Sequence, residues 1–313
     1  WRVRHIEDDG EYAVKIVDVE HTRTRYNLTK KGGIQKTKKE LKAIKALGDS
    51  DLHSNVLRYY NAFFSNDQKY LYIQTALYHN GTLEDVLRQG EPLPDDTVRS
   101  YLKQLAMAFE YVHSKDLIHR DFKSDAVCIA SNGELKLVDF GLATPTAKSA
   151  GLTSGGLSTL YKERGYAVYR APEQVGQKAR KKQSTPAEDM FPVGLVLLEM
   201  IMGTLVTAYL EDDESPACVH FRLQELVTDC VDLNPLLCTI VTGTVGNNSH
   251  PKYSGGLLAE DAAERMTAAD VIEQLRRQGF DSLGHRAVDL QATSPADAER
   301  LEWLEVLRDP PQV

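Results

Sequence analysis

Two short polar stretches decide how this chain is expected to fold. Residues 119–126 read HRDFKSDA and follow a long helical pattern, and residues 139–141 read DFG and follow a short strand-like run. Further out, Lys15 stands inside another strand-like run, Glu40 stands beside a helical pattern, and residues 171–173 read APE. Taken in order, these polar residues next to apolar elements form one set, and we expect them to serve a single site.

The first part of the chain has the pattern of a small sheet that carries one helix. β-branched runs around a glycine turn predict a hairpin within residues 3–17, and two further strands are predicted at 56–64 and 70–76. Apolar residues at three-residue spacing predict a helix at 41–47. A basic, glycine-containing connection is expected at 22–33.

After Asn80-Gly81-Thr82 the pattern becomes mostly helical. Short strands are predicted at 127–129 and 135–138, and a loop rich in glycine, serine and threonine runs over 144–165. Together with the first part, this predicts an α+β architecture. The helices of the second part are predicted at 95–113, 188–202, 220–227, 233–241, 267–278 and 294–308.

Composition excludes several classes of protein. The 313 residues include 42% hydrophobic side chains, enough for a core, and 37 basic against 45 acidic residues give a net charge of −8, which argues against nucleic-acid binding. Four cysteines without a CxxC pair indicate neither a zinc site nor a disulfide framework. The longest apolar run, around 191–202, is too short to span a membrane, and the first residues do not have the apolar stretch of a signal peptide. We expect an intracellular, cytoplasmic domain cut from a longer protein.

The ordered set of motifs resembles the eukaryotic protein kinase family, of the Ser/Thr type, across nearly the whole chain. Each motif is a weak signal by itself, but four in the same order at family-like separations are specific. A shorter similarity, at 51–60 and 71–74, is to the kinases of translation initiation factor 2. The resemblance implies a bilobal kinase fold. It divides the chain into an N-lobe at 1–76, a C-lobe at 77–279 and an extension with one helix at 280–313.

The resemblance also implies phosphoryl transfer from ATP with Mg²⁺ to a protein substrate. Lys15 would hold the nucleotide phosphates, and Glu40 would pair with Lys15. Asp139 would bind magnesium. Asp121 would orient the attacking hydroxyl, and Lys123 would face the transferred group.

An adenine pocket follows from the same resemblance. Thr75 would be the gatekeeper at the end of a strand, and the backbone of Ala76 and Tyr78 would hydrogen-bond the adenine ring. Ala13 and Cys128 would sandwich the purine from above and below.

Other motif residues are implied to be structural. His119 would stack with Phe140 and be held by Asp189, and Glu173 with Arg265 would form a buried ion pair. Arg120 would reach a phosphate on the loop, if one is added. Candidate phosphorylation sites there are Thr153, Ser154, Ser158, Thr159 and Tyr161.

Three departures from the family pattern bear on activity. The Gly-rich loop is missing and would lie upstream of Trp1. Ala126 stands where the family has a magnesium-binding asparagine, and a methyl group cannot coordinate a hard cation. Tyr166 stands in place of a threonine that links the aspartate and lysine of the loop.

Two functions therefore stay open. One is a Ser/Thr protein kinase domain, supported by Lys15, Asp121 and Asp139. The other is a pseudokinase that regulates or scaffolds a partner, supported by Ala126 and Tyr166. Each residue alone also has a simpler interpretation, since an isolated strand lysine is commonly an edge residue.

Overall fold

The computed structural model describes nine parts of the chain: residues 1–6, 9–25, 41–47, 52–146, 168–174, 184–209, 227, 234–245 and 253–280. Glu40, Tyr166 and the five candidate phosphorylation sites lie outside these residues, as does the predicted helix at 294–308. Of the helix predicted at 220–227, only residue 227 is described.

The N-terminal part is built on a four-stranded antiparallel sheet. Its strands are β1 (Arg2–Arg4), β2 (Glu11–Asp18), β3 (Tyr59–Phe64) and β4 (Tyr70–Ala76), in the order β1-β2-β4-β3. The predicted hairpin is confirmed as the β1–β2 pair, and β4 lies between β2 and β3. The register pairs Lys15 with Ile73 and so fixes the position of the strand lysine.

Two helices pack near this sheet, one of them unexpected. Helix α1 (Val19–Arg25) follows β2 directly, where the sequence predicted a connection from residue 22. It was missed because VEHTRTR has no apolar repeat; its first turn is instead stabilised by Asp18, whose Oδ1 accepts from the His21 N–H at 2.8 Å. Helix α2 covers residues 41–47 as predicted, and Ile44 packs in a small apolar cluster with strand β4.

The second part is a helical body around two buried helices. Both α4 (Asp95–Ser114) and α5 (Ala187–Met202) lie within a residue of their predicted bounds and bury most of their side chains. Helix α7 (Ala268–Arg277) packs against α4, and its N-terminus is closed by the reciprocal hydrogen bonds of Thr267 and Asp270. The other α-helices in the described residues of this part are α3 (Leu83–Leu87) and α6 (Pro235–Thr242).

The described residues of the helical body contain three small strand pairs, and two of them position the polar stretches. Strand β5 (Leu117–Ile118) leads into residues 119–126, and β7 (Leu135–Leu137) leads into Asp139. The pairs are β5 (Leu117–Ile118) with β8 (Thr144–Pro145), β6 (Val127–Ile129) with β7 (Leu135–Leu137), and β9 (Gly243–Val245) with β10 (Tyr253–Gly255).

Apolar residues of the two polar stretches anchor them in the core. Phe122 and Phe140 are fully buried, and Phe122 meets Phe109 of α4 edge-to-face at 4.9 Å between ring centroids. The polar residues of each stretch are therefore fixed relative to the body. None of the helices in the described parts of the chain is long and apolar enough to cross a bilayer.

Candidate active site

Lys15 and Asp139 meet between the sheet and the helical body. Lys15 Nζ donates to Asp139 Oδ1 at 2.7 Å, across 124 positions of sequence. The two side chains are 45% and 51% exposed, so the pair borders open solvent. Asp139 has φ 60°, a left-handed conformation that Asp tolerates, and its Oδ1 also accepts from the Gly141 N–H at 3.4 Å. Burial alone would raise the pKa of Asp139, but the Lys15 ammonium outweighs this and lowers it.

The residues 119–126, here called the catalytic loop, are tied to helix α5 by Asp189. Its Oδ2 accepts from the His119 N–H at 2.8 Å, and its Oδ1 accepts from the Arg120 N–H at 2.7 Å. His113, at the end of α4, lies 2.9 Å from the same Oδ2. Burial pushes the pKa of Asp189 up, but these hydrogen bonds outweigh burial and lower it. The sequence analysis did not predict a role for His113, because a single histidine on a helix belongs to no recognisable motif.

His119 contacts Phe140 differently from the expectation. The ring centroids are 4.8 Å apart at 66°, so the contact is edge-to-face and not stacked, the geometry that aromatic quadrupoles favour. Asp189 holds the backbone N–H of His119, while the ring Nε2 lies 2.8 Å from the Val138 carbonyl oxygen. Both contacts give His119 a structural role.

Asp121 lies in this loop close to the other charged groups. Burial raises its pKa, and the nearby Asp139 carboxylate adds to the rise, whereas His119 and Lys123 oppose it. A raised pKa shifts a carboxyl group toward the range where it can accept and release a proton. Lys123 points its Nζ at the Asp125 carboxylate.

Ala126 is buried at the end of the turn Ser124–Ala126. Its carbonyl oxygen accepts from the Val138 N–H at 2.9 Å, so the alanine lies beside the strand that leads to Asp139. Within the described residues no group of three His, Cys, Asp or Glu side chains could hold a metal ion. Magnesium is commonly held by one or two carboxylates together with substrate phosphates, and Asp139 fits that one-carboxylate form.

The structure brings together some of the residues that were predicted to line an adenine pocket. Ala13 and Thr75 are register partners across β2 and β4, and Thr75 is buried. The Ala76 N–H donates to the Arg58 carbonyl oxygen at 2.9 Å, so only the carbonyl of Ala76 could bind adenine. Burial raises the pKa of Tyr78 to about 12, and it likewise raises the pKa of Cys128 to about 11.

The predicted ion pair at the end of the APE motif is present. Arg265 Nη1 and Nη2 donate to the two carboxylate oxygens of Glu173 at 2.7 and 2.9 Å. The side chains are 0% and 6% exposed. Arg265 also donates to the carbonyl oxygens of Ala187 and Ala259, so its charge is well satisfied.

Two buried glutamates on α5 were missed in the sequence. The Tyr169 hydroxyl donates to Glu199 Oε1 at 2.5 Å, and the Val206 N–H donates to the same oxygen at 3.0 Å. Glu188 lies against Arg120 of the catalytic loop. The signal for Glu199 was available, because an acidic residue within the apolar run 191–202 needs a partner.

A small antiparallel sheet with two short helices beside it, a larger helical body and a lysine–aspartate pair between them define a bilobal phosphotransferase-type fold. The family comparison agrees over most of the chain: residues 1–275 match the protein kinase domain. The chain belongs to the protein kinase family.

Relatives in this family come from distant organisms. Mitogen-activated protein kinase kinase kinase 4 of Mus musculus is 30% identical over 54% of this chain and 10% of its own length. The probable serine/threonine-protein kinase PknB of Lactococcus lactis is 27% identical over 68% of the chain and 31% of its own length. A probable serine/threonine-protein kinase of Dictyostelium discoideum is 24% identical over 94% of this chain and 56% of its own length. The chain thus spans between a tenth and just over half of these relatives.

Proposed function

We propose that this domain binds ATP and transfers its γ-phosphate to serine or threonine hydroxyls of a protein substrate. The observation that carries this proposal is the 2.7 Å contact of Lys15 Nζ with Asp139 Oδ1, close to a half-buried Asp121 of raised pKa. These are one ammonium and two carboxylates, the charges that phosphoryl transfer requires.

Each residue has a task in this proposal. Lys15 binds nucleotide phosphates, and Asp139 holds Mg²⁺, which supplies charge neutralisation at the phosphates when it is bound. Asp121 orients the substrate hydroxyl and takes its proton at a carboxylate oxygen. Thr75 and the Ala76 carbonyl border the adenine, and Ala13 and Cys128 lie on its two faces. Glu40, outside the described residues, would fix Lys15.

A second function, that of a pseudokinase, is favoured by one feature of the catalytic loop. Ala126 offers no oxygen ligand beside Asp139, and Lys123 is engaged by the Asp125 carboxylate. Such a domain would bind nucleotide and regulate a partner protein without transferring phosphate. The tyrosine at position 166, where the family pattern has a threonine, also supports the pseudokinase alternative.

We also propose the wider setting of the domain. The chain would divide into an N-lobe at 1–76, a C-lobe at 77–279 and an extension at 280–313. Its partner would be a protein and not a nucleic acid, which the net charge of −8 supports. We place it in the cytoplasm.

Nucleotide binding and transfer are tested separately. Saturating ATP with Mg²⁺ should raise the melting temperature, because a ligand that prefers the folded state stabilises it. Lys15→Met should lose most of this rise, whereas Lys69→Met, which removes a lysine paired with Asp67 in the turn before β4, should keep it. No rise in the wild-type protein would contradict ATP binding.

Radiolabelled ATP then separates the two functions. Label transferred to a protein substrate by the wild type, and lost in Asp121→Asn, supports the kinase. A clear rise in melting temperature with ATP but no transfer of label would instead assign the pseudokinase function.

A further inference from the structure

The arginine of the catalytic loop faces a carboxylate of its own chain. Arg120 Nε lies 3.3 Å from Glu188 Oε2, and the two side chains are only 13% and 6% exposed. Among the described residues Arg120 Nε makes no hydrogen bond, so the contact is one of opposite charges. Glu188 is in the first turn of α5, next to Asp189, where the helix dipole favours an acidic residue.

Glu188 is itself held in place from the other side. Gln174 Nε2 donates to Glu188 Oε2 at 3.0 Å, and Gln174 Oε1 accepts from the Ala171 N–H at 3.0 Å. Arg120, Gln174 and Glu188 line the same small cavity. The glutamate therefore joins the catalytic loop to the segment that follows the loop 144–165.

Arg120 has an unfavourable backbone conformation and a mostly buried charge, and both need support from neighbouring residues. Its φ is 70°, a left-handed value that is unfavourable for a residue with a side chain, and its N–H is bonded to Asp189. Burying an unpaired guanidinium would add a further cost. Burial raises the pKa of Glu188, and the guanidinium of Arg120 opposes this rise, as expected for an interacting pair.

We propose that Glu188 is a positioning residue that holds Arg120, and with it the catalytic loop, without a phosphate on the loop 144–165. The family resemblance implied an added phosphate as a partner of Arg120, and in this structure the Glu188 carboxylate lies against the Arg120 guanidinium. The inference rests on the proposed function, in which Asp121, the next residue, orients the substrate hydroxyl. It adds that the catalytic loop is ordered in the unphosphorylated chain.

Hydrogen–deuterium exchange of peptides covering 117–123 tests this on phosphatase-treated protein whose lack of phosphate is verified by intact mass. Glu188→Gln keeps the shape of the side chain and an oxygen for Gln174 but removes the charge. We expect it to speed exchange in these peptides about five-fold or more, and Arg120→Gln to do the same. Because the two residues act as one unit, the double variant should be no faster than the faster single variant.

A charge-reversed pair separates positioning from general packing. Arg120→Glu combined with Glu188→Arg should restore protection relative to either single reversal, which a packing role alone would not do. The control is Glu273→Gln, which removes an ion-paired carboxylate on the exposed face of α7 and should leave exchange in 117–123 unchanged. Should Glu188→Gln fail to fold, Arg120→Gln and the reversed pair carry the test.

Three results would overturn the proposal. They are wild-type exchange in a folded Glu188→Gln, additive effects in the double variant, and an unphosphorylated wild type that exchanges as fast as Arg120→Gln. None of these measurements uses nucleotide, so a failure of this inference can be distinguished from a failure of the protein to bind ATP. Conversely, Glu188→Gln should keep the ATP-induced rise in melting temperature, because Lys15 and Asp139 are untouched.

Discussion

Ala126 sits at the end of a short turn, where its backbone carbonyl is fixed by the Val138 N–H and its methyl group is buried. The position beside Asp139 is thus well defined, but the side chain there has no donor atom. At the scale of single residues, this methyl group would leave a cation bound at Asp139 without an oxygen ligand from position 126.

Ala126→Asn should therefore raise the rate of phosphotransfer, on the order of ten-fold or more, because it adds an oxygen ligand beside Asp139. The rate of label transfer from ATP measures this. Ser131→Asn, in an exposed turn, adds the same side chain elsewhere and should leave the rate unchanged. A folded Ala126→Asn protein with the wild-type rate would show that Ala126 does not limit transfer, and Tyr166 would be the next residue to test.

At the scale of elements, helix α5 organises the site. Its first turn presents Glu188 and Asp189 to the catalytic loop, and about three turns later it presents Glu199 to Tyr169. The same helix start supplies the Ala187 carbonyl to Arg265. Since helix positions are rigidly related, one buried element fixes the catalytic loop and the segment 168–174 relative to each other.

Glu199 should make stability depend on pH near neutrality. Burial raises its pKa from 4.5 to about 7, so between these values the native state holds a proton that the unfolded state releases. The free energy of unfolding therefore falls as pH rises through this window, by up to about 3 kcal/mol.

In Glu199→Gln, which cannot ionise, this contribution disappears. The melting temperature of the wild type should drop relative to the variant between about pH 5 and about pH 8. Glu273→Gln is the control, because its pKa is lowered to about 2 and it does not titrate in this window. A constant difference between wild type and Glu199→Gln would contradict the assignment.

The buried pair of Glu173 and Arg265 should be important for stability. Arg265→Ala leaves the Glu173 carboxylate buried without its partner, and we expect a loss of about 3–5 kcal/mol in the free energy of unfolding. Arg276→Ala breaks an exposed ion pair on α7 and should cost less than about 1 kcal/mol. Denaturant unfolding of both variants measures the difference; equal losses would contradict the role of the buried pair.

At the scale of the whole molecule, the sheet and the helical body meet at Lys15 and Asp139. The pair is about half exposed, so water screens it and it adds little to stability by itself. The position of the pair between the two parts is important for the proposed function, because nucleotide phosphates and magnesium would bind at this point.

Asp139→Asn tests that position. It should abolish the part of the ATP-induced rise in melting temperature that depends on Mg²⁺, measured with and without EDTA. The melting temperature without nucleotide should change little, because the lost ion pair is exposed. Asp67→Asn, in the turn before β4, serves as the control. A magnesium effect that persists in Asp139→Asn would place the metal elsewhere.

The sequence predicted the architecture well where apolar repeats are long. Helices α4 and α5 and strand β4 lie close to their predicted bounds, because burial of an apolar face dominates their energetics. Strand β2 is also close to its predicted bounds, although its residues are half-buried or exposed. Helix α1 was missed because its stability comes from a local cap and not from an apolar repeat.

The motifs also placed the charged residues in order along the chain, and the sequence alone determined that Lys15, Asp121 and Asp139 belong to one set and that Ala126 lacks a ligand atom. Only the tertiary structure decided which charges face each other, namely Lys15 with Asp139, Arg120 with Glu188 and Tyr169 with Glu199. The physical reason is that a local pattern records burial and spacing along one element. The partner of a buried charge, in contrast, comes from another element and is set by how the elements pack.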